Sequence, residues 1–297
     1  MNQHIPVLLE QTVEVLNPKT GEVFLDATAG YGGHSDAILE HIGTRGSAYL
    51  IDQDNDALTA LHERFSGDKR VHIVRSNFRS ITEGEIPKVD MILMDLGVSS
   101  PQLDDHTRGF SFRTEAPLDM RMDQSKSLTA ADLIAELPEE KLAQIIWEFG
   151  EERQSRRIAH EIVQRRKFEA IRTTTQLASI VERVKPRRGR IHPATQTFQA
   201  IRIALNDEIE ALRQSLNQFE QMLSPGGRWA VISFHSLEDR IVKQYFNQLT
   251  TPEKDWRGQI VLDSPFRKVT KKAIKGDEHD INPRARSAKL RAVEKIK

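Results

Sequence analysis

The stretch Val89-Asp90-Met91-Ile92-Leu93-Met94-Asp95-Leu96-Gly97-Val98-Ser99-Ser100-Pro101-Gln102 decides the fold of this chain. Its first six residues are a nearly unbroken apolar run, which predicts a strand buried on both faces. The run delivers a carboxylate, Asp95, at the C-terminal lip of that strand, where open α/β sheets hold their ligands. Gly97 and Pro101 punctuate the following loop, and Ser99, Ser100 and Gln102 supply short polar groups. Such a loop suits a small planar polar group held against a cofactor. An ordinary strand-to-helix turn with Asp95 as a cap fits the same residues.

Working outward, Glu22–Asp26, Ser47–Asp52 and Val71–Val74 predict three further strands, alternating with helices over Ser35–Ile42 and Asn55–Phe65. This alternation implies βαβ units and an α/β, Rossmann-like, mostly parallel doubly wound sheet. From Leu103 to about Leu205 the strand signal is absent. Helices are expected over 127–137, 139–148, 153–167 and 175–184, then one long helix from about Ala194 to Leu223, stopped by Ser224-Pro225-Gly226-Gly227. Strands resume at Arg228–Phe234 and Lys289–Val293. A helical domain is therefore inserted in the sheet, with expected boundaries of 1–105 and 206–297 for the sheet domain and 106–205 for the insertion. Thr250–Asp280 reads as an extended loop.

The 297 residues are 38% hydrophobic and 29% charged, which suits a globular protein. No apolar run approaches the roughly 18 residues of a membrane span, and the N-terminus lacks the features of a signal peptide. A cytoplasmic protein without a membrane partner is expected. Cysteine is absent, which excludes disulfides, thiolate metal sites and thiol nucleophiles. The ten histidines show no metal-ligand spacing, so no metal is expected. The net charge of zero conceals two basic blocks: 12 bases against 3 acids over 153–190, and 11 against 4 over 266–297. Together they fit a polyanion partner on one face, although each alone also fits a solvated surface.

Gly30, Gly32 and Gly33 follow Asp26 in a turn between a strand and a helix, where the backbone can approach a ligand. Asp52 ends the second strand, placed to accept the ribose hydroxyls of an adenosine cofactor. Phe78, past the third strand, can cover an adenine or belong to the core. Both a dinucleotide and S-adenosylmethionine fit this pattern. The sequence Gly30-x-Gly32-Gly33-His34-Ser35 departs from Gly-x-Gly-x-x-Gly at Ser35, and Asp26 suits an ammonium group, which favours S-adenosylmethionine without closing the alternative.

Seven motifs together resemble one family: Gly30–Ser35, Asp95–Asp104, Arg108-Gly109-Phe110-Ser111-Phe112, Pro117–Met122, His192-Pro193-Ala194-Thr195, Ser233–Arg240 and Asn282–Ser287. It is the bacterial 16S ribosomal RNA cytosine-N4 methyltransferase family, and the likeness runs from about His4 to Val293. The resemblance implies a class I methyltransferase sheet with an inserted helical domain, S-adenosylmethionine as donor, and a cytidine in the decoding region of the small ribosomal subunit as substrate. It places cofactor contacts on Gly32, Gly33, His34, Asp52, Phe78, Asp95 and Gln102. Asp95, with a carbonyl of Leu96 or Gly97, is the candidate catalytic group, because acceptors aimed at a cytosine amine stabilise the charge that grows there during transfer. The lack of a thiolate argues separately against methylation at carbon 5 of a pyrimidine.

His235, Arg284, Arg286, Arg187 and Arg188 are candidate RNA contacts. His235 also fits a satisfied loop histidine, and Phe110 and Phe112 fit packing of the insertion better than base stacking. An N-methyltransferase of DNA or transfer RNA, a non-catalytic assembly factor and a dehydrogenase are the competing readings. The sequence leaves room for a homodimer.

Overall fold

The run ending at Asp95 forms a strand in which only Asp90 and Asp95 escape full burial, as its composition requires. The computed structural model describes residues 6–81, 84–187, 189, 191–277, 282 and 284–297. The chain opens with α1 (Leu9–Leu16), β1 (Val23–Asp26), α2 (Gly33–Ile42), β2 (Ser47–Asp52), α3 (Asn55–Arg64), β3 (Val71–Arg75) and β4 (Val89–Asp95). Helices α4 (Ser100–Asp104), α5 (Ala130–Glu136), α6 (Glu139–Gly150), α7 (Ser155–Arg166), α8 (Thr174–Val184) and α9 (Thr195–Asn206) follow. Then come α10 (Glu208–Met222), β5 (Leu223–Ser233) and α11 (Ser236–Leu249). The short strands β6 (Glu253–Lys254), β7 (Ile260–Leu262), β8 (Phe266–Lys268) and β9 (Ile274–Lys275) lead to β10 (Lys289–Lys295).

The main sheet has the order β3-β2-β1-β4-β5-β10-β8, with β9 also on β10. Strands β1 to β5 pair in parallel, and β10 runs antiparallel to β5. This is a Rossmann-like α/β fold. Strand order reverses between β1 and β4, which makes their C-terminal ends the natural ligand crevice. Register brings the strand ends to one lip: Asp26 sits beside Leu50 and Leu93, and Asp95 beside Ile232.

The chain divides into two compact units, Met1–Gly97 with Ile209–Lys297, and Val98–Glu208. The second unit starts earlier than the sequence expectation of 106 because Val98 and Leu103 already pack on its apolar cluster. In the first unit Phe24, Ile38, Leu50, Leu61, Met91 and Ile232 share one core. Trp229 of β5 is fully buried, edge-on to Phe219 of α10 and Phe246 of α11. Burying a side chain of that size contributes about 3 kcal/mol. Asp239 fastens α11 to β10 through Arg291 (2.8 Å) and Lys289 (3.0 Å). Burial works against its charge, but those two cations hold the carboxyl below the usual range.

The second unit is built on Leu118, Ile134, Ile146, Ile158, Leu177 and Ile201. Phe110 is buried in this cluster, and Phe112 packs between His192 and Phe198 at 4.5 and 4.8 Å. Both aromatic side chains therefore serve packing within the insertion. Three departures from the sequence reading have local causes. The long helix over 194–223 is broken at Asp207, which adopts a left-handed conformation (φ 56°), while the Arg202–Glu208 pair (2.8 Å) spans the bend. The segment 250–280 is less extended than expected, because β6 and β7 form a hairpin and β8 and β9 find partners on β10. Helix α1, unforeseen from the sequence, packs Val15 and Leu16 into the sheet core.

Asn206 ties the Pro117–Met122 motif to α9. It accepts from the Met122 amide (2.9 Å) and donates to the carbonyls of Met120 (2.8 Å) and Arg202 (2.9 Å). Asn206→Ala leaves buried backbone groups unpaired and should destabilise the second unit by about 3 kcal/mol. A urea titration that gives a midpoint equal to that of the parent would disprove this role.

Candidate active site

Asp26 ends β1 fully buried, accepting from the Ser35 hydroxyl (2.6 Å) and the Thr28 amide (3.2 Å). Burial pushes its carboxyl up to about 6. Asp52 ends β2 and takes the Gly30 amide on Oδ2 (2.8 Å) and the Asp54 amide on Oδ1 (2.9 Å). It too is pushed up by burial to about 6, against the pull of those two amides. The Gly30 contact pins the glycine turn to β2 and so fixes the start of α2.

Gly32 and Gly33 owe their identity to packing as well as to the turn. Gly32 has φ 78°, and a Cβ there would lie 2.7 Å from Phe65. At Gly33 a Cβ would lie 2.4 Å from Pro6. These glycines let the turn close down on α3 and on the segment before α1.

His34, in the first turn of α2, brings Nε2 within 3.6 Å of Asp95 Oδ2. That is too long for a hydrogen bond. Among the described residues, both ring nitrogens of His34 and Oδ1 of Asp95 are buried without a hydrogen-bond partner. Each such group costs about 1–3 kcal/mol in a folded protein, so a cluster of them marks a place that a polar ligand completes. The Asp95 amide donates to Thr28 Oγ1 at 2.6 Å, which steadies the end of β4 against the β1 turn. Sequence reading missed Thr28; its only signal was its place in the Asp26–Gly33 turn.

Phe78 opens a short helical turn after β3, capped by the Asn77 side chain, and Asn77 in turn donates to Gln53 at 2.9 Å. Phe78 is half-buried and stands outside the core cluster of its unit. Gln102 belongs to the other unit. Its Oε1 accepts from the Ser99 amide (2.9 Å) in a capping box that starts α4. Gly32, Gly33, His34, Asp52, Phe78 and Asp95 thus all lie in the sheet unit, on the turns at the ends of β1 to β4.

The RNA candidates fall on three stretches of the chain. His235 caps α11, its Nδ1 accepting from the Glu238 amide (3.4 Å), and its side chain is only 10% exposed. Nε2 lies 3.0 Å from Glu238 Oε1 but makes no aligned hydrogen bond there. Arg284 is half-buried and Arg286 exposed, flanking the buried Ala285 before β10. Arg187 is exposed in the loop after α8, and Arg188 lies outside the described residues. Among the described residues no cluster of His, Asp and Glu has metal-ligand geometry, and no helix is long and apolar enough to cross a membrane.

A model of the MraW methylase family matches residues 1–296. The chain belongs to that family. Among curated relatives of this MraW-family chain, the ribosomal RNA small subunit methyltransferase H of Granulibacter bethesdensis is 47% identical, over 98% of this chain and 91% of the relative. That of Heliobacterium modesticaldum is 48% identical over 99% of both. A solved rRNA methylase from Streptococcus thermophilus aligns with 99% of each chain at 12% identity and a TM-score of 0.43, a likeness too loose to bear on activity.

The two raised carboxyls have a consequence for stability. Both bind protons more readily in the folded chain, so their contribution is fully present below pH 4 and is lost as pH rises through about 6. Asp26→Asn should remove a share of roughly 2–3 kcal/mol. Melting temperatures measured from pH 4 to 7 would then fall less steeply than in the parent; parallel curves would refute the assignment.

Proposed function

We propose that this protein transfers a methyl group from S-adenosylmethionine to the exocyclic N4 of a cytidine in the decoding region of 16S ribosomal RNA. The observation that carries the reading is the His34–Asp95 cluster of unpaired buried polar atoms at the point where strand order reverses. Family membership, and the names of relatives about half identical over their whole length, support ribosomal RNA of the small subunit as substrate. That substrate sets the work of the protein in the cytoplasm.

The charge of the lip supports the donor. Asp26, Asp52 and Asp95 line it, and the polar contacts of Asp26 and Asp52 include no Lys or Arg. A pyrophosphate would be repelled there, whereas a sulfonium and an ammonium are attracted. This weighs against a dinucleotide. Asp52 would accept the ribose hydroxyls, Asp26 and the Gly32-Gly33 backbone would hold the amino-acid end, and Phe78 would lie against the adenine. His34 would add a contact from the same unit, and the family resemblance adds Gln102. Bound S-adenosylmethionine supplies an electrophilic methyl on a positively charged sulfur.

The remaining work falls on the chain. The N4 lone pair of cytosine is delocalised into the ring, so the amine becomes a nucleophile only as it turns tetrahedral and gains positive charge. Asp95, with the carbonyl of Leu96 or Gly97, accepts its two N–H groups and stabilises that charge more than the ground state. Thr28 holds the Asp95 backbone for this task. The proton that the amine sheds leaves to solvent. A base within a folded RNA must be turned out to reach this lip.

Small subunits from cells lacking the protein, incubated with tritiated donor, should gain label at one cytidine, located by mass spectrometry; label on naked DNA or transfer RNA instead would refute the substrate. Asp95→Ala should lower kcat by about 100- to 1,000-fold while RNA still binds, and a near-normal rate would remove Asp95 from the mechanism. Because ribose hydroxyls favour the ionised Asp52, affinity for S-adenosylhomocysteine should weaken as pH falls below about 6. Calorimetry showing constant affinity from pH 5 to 8 would contradict that contact.

A further inference from the structure

Part of the basic block, on α7 and α8, lines a groove. Helices α7 and α8 pack side by side and are joined by a short loop, and two adjoining cavities open between them. The first, of about 380 Å³, is lined by Arg156, Arg157 and Arg183, with His160 and one carboxylate, Glu161. The second, of about 230 Å³, is lined by Arg165, Thr175, Ser179 and again Arg183, with the carboxylate Glu169. Arg183 is thus shared by both.

We propose that this groove is a track for two consecutive phosphates of the RNA backbone, with Arg183 between them. The inference deepens the RNA-methylating reading and rests on it. Arg156, Arg157 and Arg183 are all exposed, and the hydrogen bond recorded among them is from Arg157 to Gln154 (3.3 Å). Three guanidinium groups face a single carboxylate in the first cavity, so it favours an anion. In the second, Arg165 pairs with Glu169, just past the end of α7, at 2.8 Å, and both side chains are exposed. Such pairs contribute only a few tenths of a kcal/mol, so a phosphate competes for Arg165 readily. His160 is engaged by Glu139 through Nδ1 at 3.1 Å. Among the described residues no Phe, Tyr or Trp lines either cavity, so the groove offers charge for the backbone rather than a broad platform for bases. Its task is to position the RNA, with sequence read elsewhere.

The test is binding of a fluorescein-labelled 20-nucleotide RNA to the full chain across a range of salt concentrations. Arg156→Gln combined with Arg183→Gln should weaken affinity about tenfold or more and reduce the slope of log K against log salt by about 1.5. Arg156→Lys should keep the slope, Lys243→Gln on α11 should change nothing, and S-adenosylhomocysteine should bind the double variant as before. At saturating substrate kcat should be retained and KM for small subunits raised. An unchanged slope in the double variant overturns the proposal. So does a poly-glutamate peptide that binds as tightly as RNA and is lost in the same variant, which would assign the groove to an acidic protein. If the parent binds RNA with this slope yet does not label small subunits, the substrate reading fails and the groove stands.

Discussion

A single hydrogen bond, from the Gly30 amide to the Asp52 carboxylate, organises the ligand side of the sheet. It anchors the turn after β1 to the end of β2, and the turn in turn supplies Thr28 to Asp95 and sets His34 at the start of α2. Because Asp52 is stabilised by backbone amides rather than by a cation, its charge is not cancelled locally. The same holds for Asp26, whose partners are an amide and a hydroxyl. The lip therefore keeps a negative field in a poorly hydrated setting, where each charge acts over a longer range than it would in water.

What the sequence disclosed about the fold followed from burial on both faces. Met91–Met94 read as a strand because no polar residue interrupts them, and Asp95 was visible as the residue that ends the run. Helix α1 was not legible, since it spans only eight residues and its N-terminal bound carries no side-chain cap. The break at Asp207 was hidden for a related reason. The apolar spacing continues across it, and only the backbone conformation of one residue interrupts the helix. At the site, the carboxylates were readable from position. The unpaired nitrogens of His34 were not, because absence of a partner is a property of three-dimensional packing that no spacing encodes.

Several of the family motifs have an architectural part. Phe110 and Phe112 fill the core of the insertion, and the Pro117–Met122 segment is held by Asn206. His235 closes the first turn of α11. The exposed arginines of the insertion, by contrast, cluster on α7 and α8. Rigid internal contacts and adjustable surface charge are thus carried by different stretches of the same insertion and tail.

The place of the insertion has a consequence for how the chain reaches its native state. Strand β4 pairs with β5, so Leu93 meets Ala230 only after the whole intervening polypeptide has been gathered. Closing a loop of roughly 135 residues costs about 4 kcal/mol in chain entropy if that loop is unstructured. An insertion with its own apolar core shortens the effective loop by folding first. Order within the helical unit thus lowers the entropic cost of joining β5 to β4.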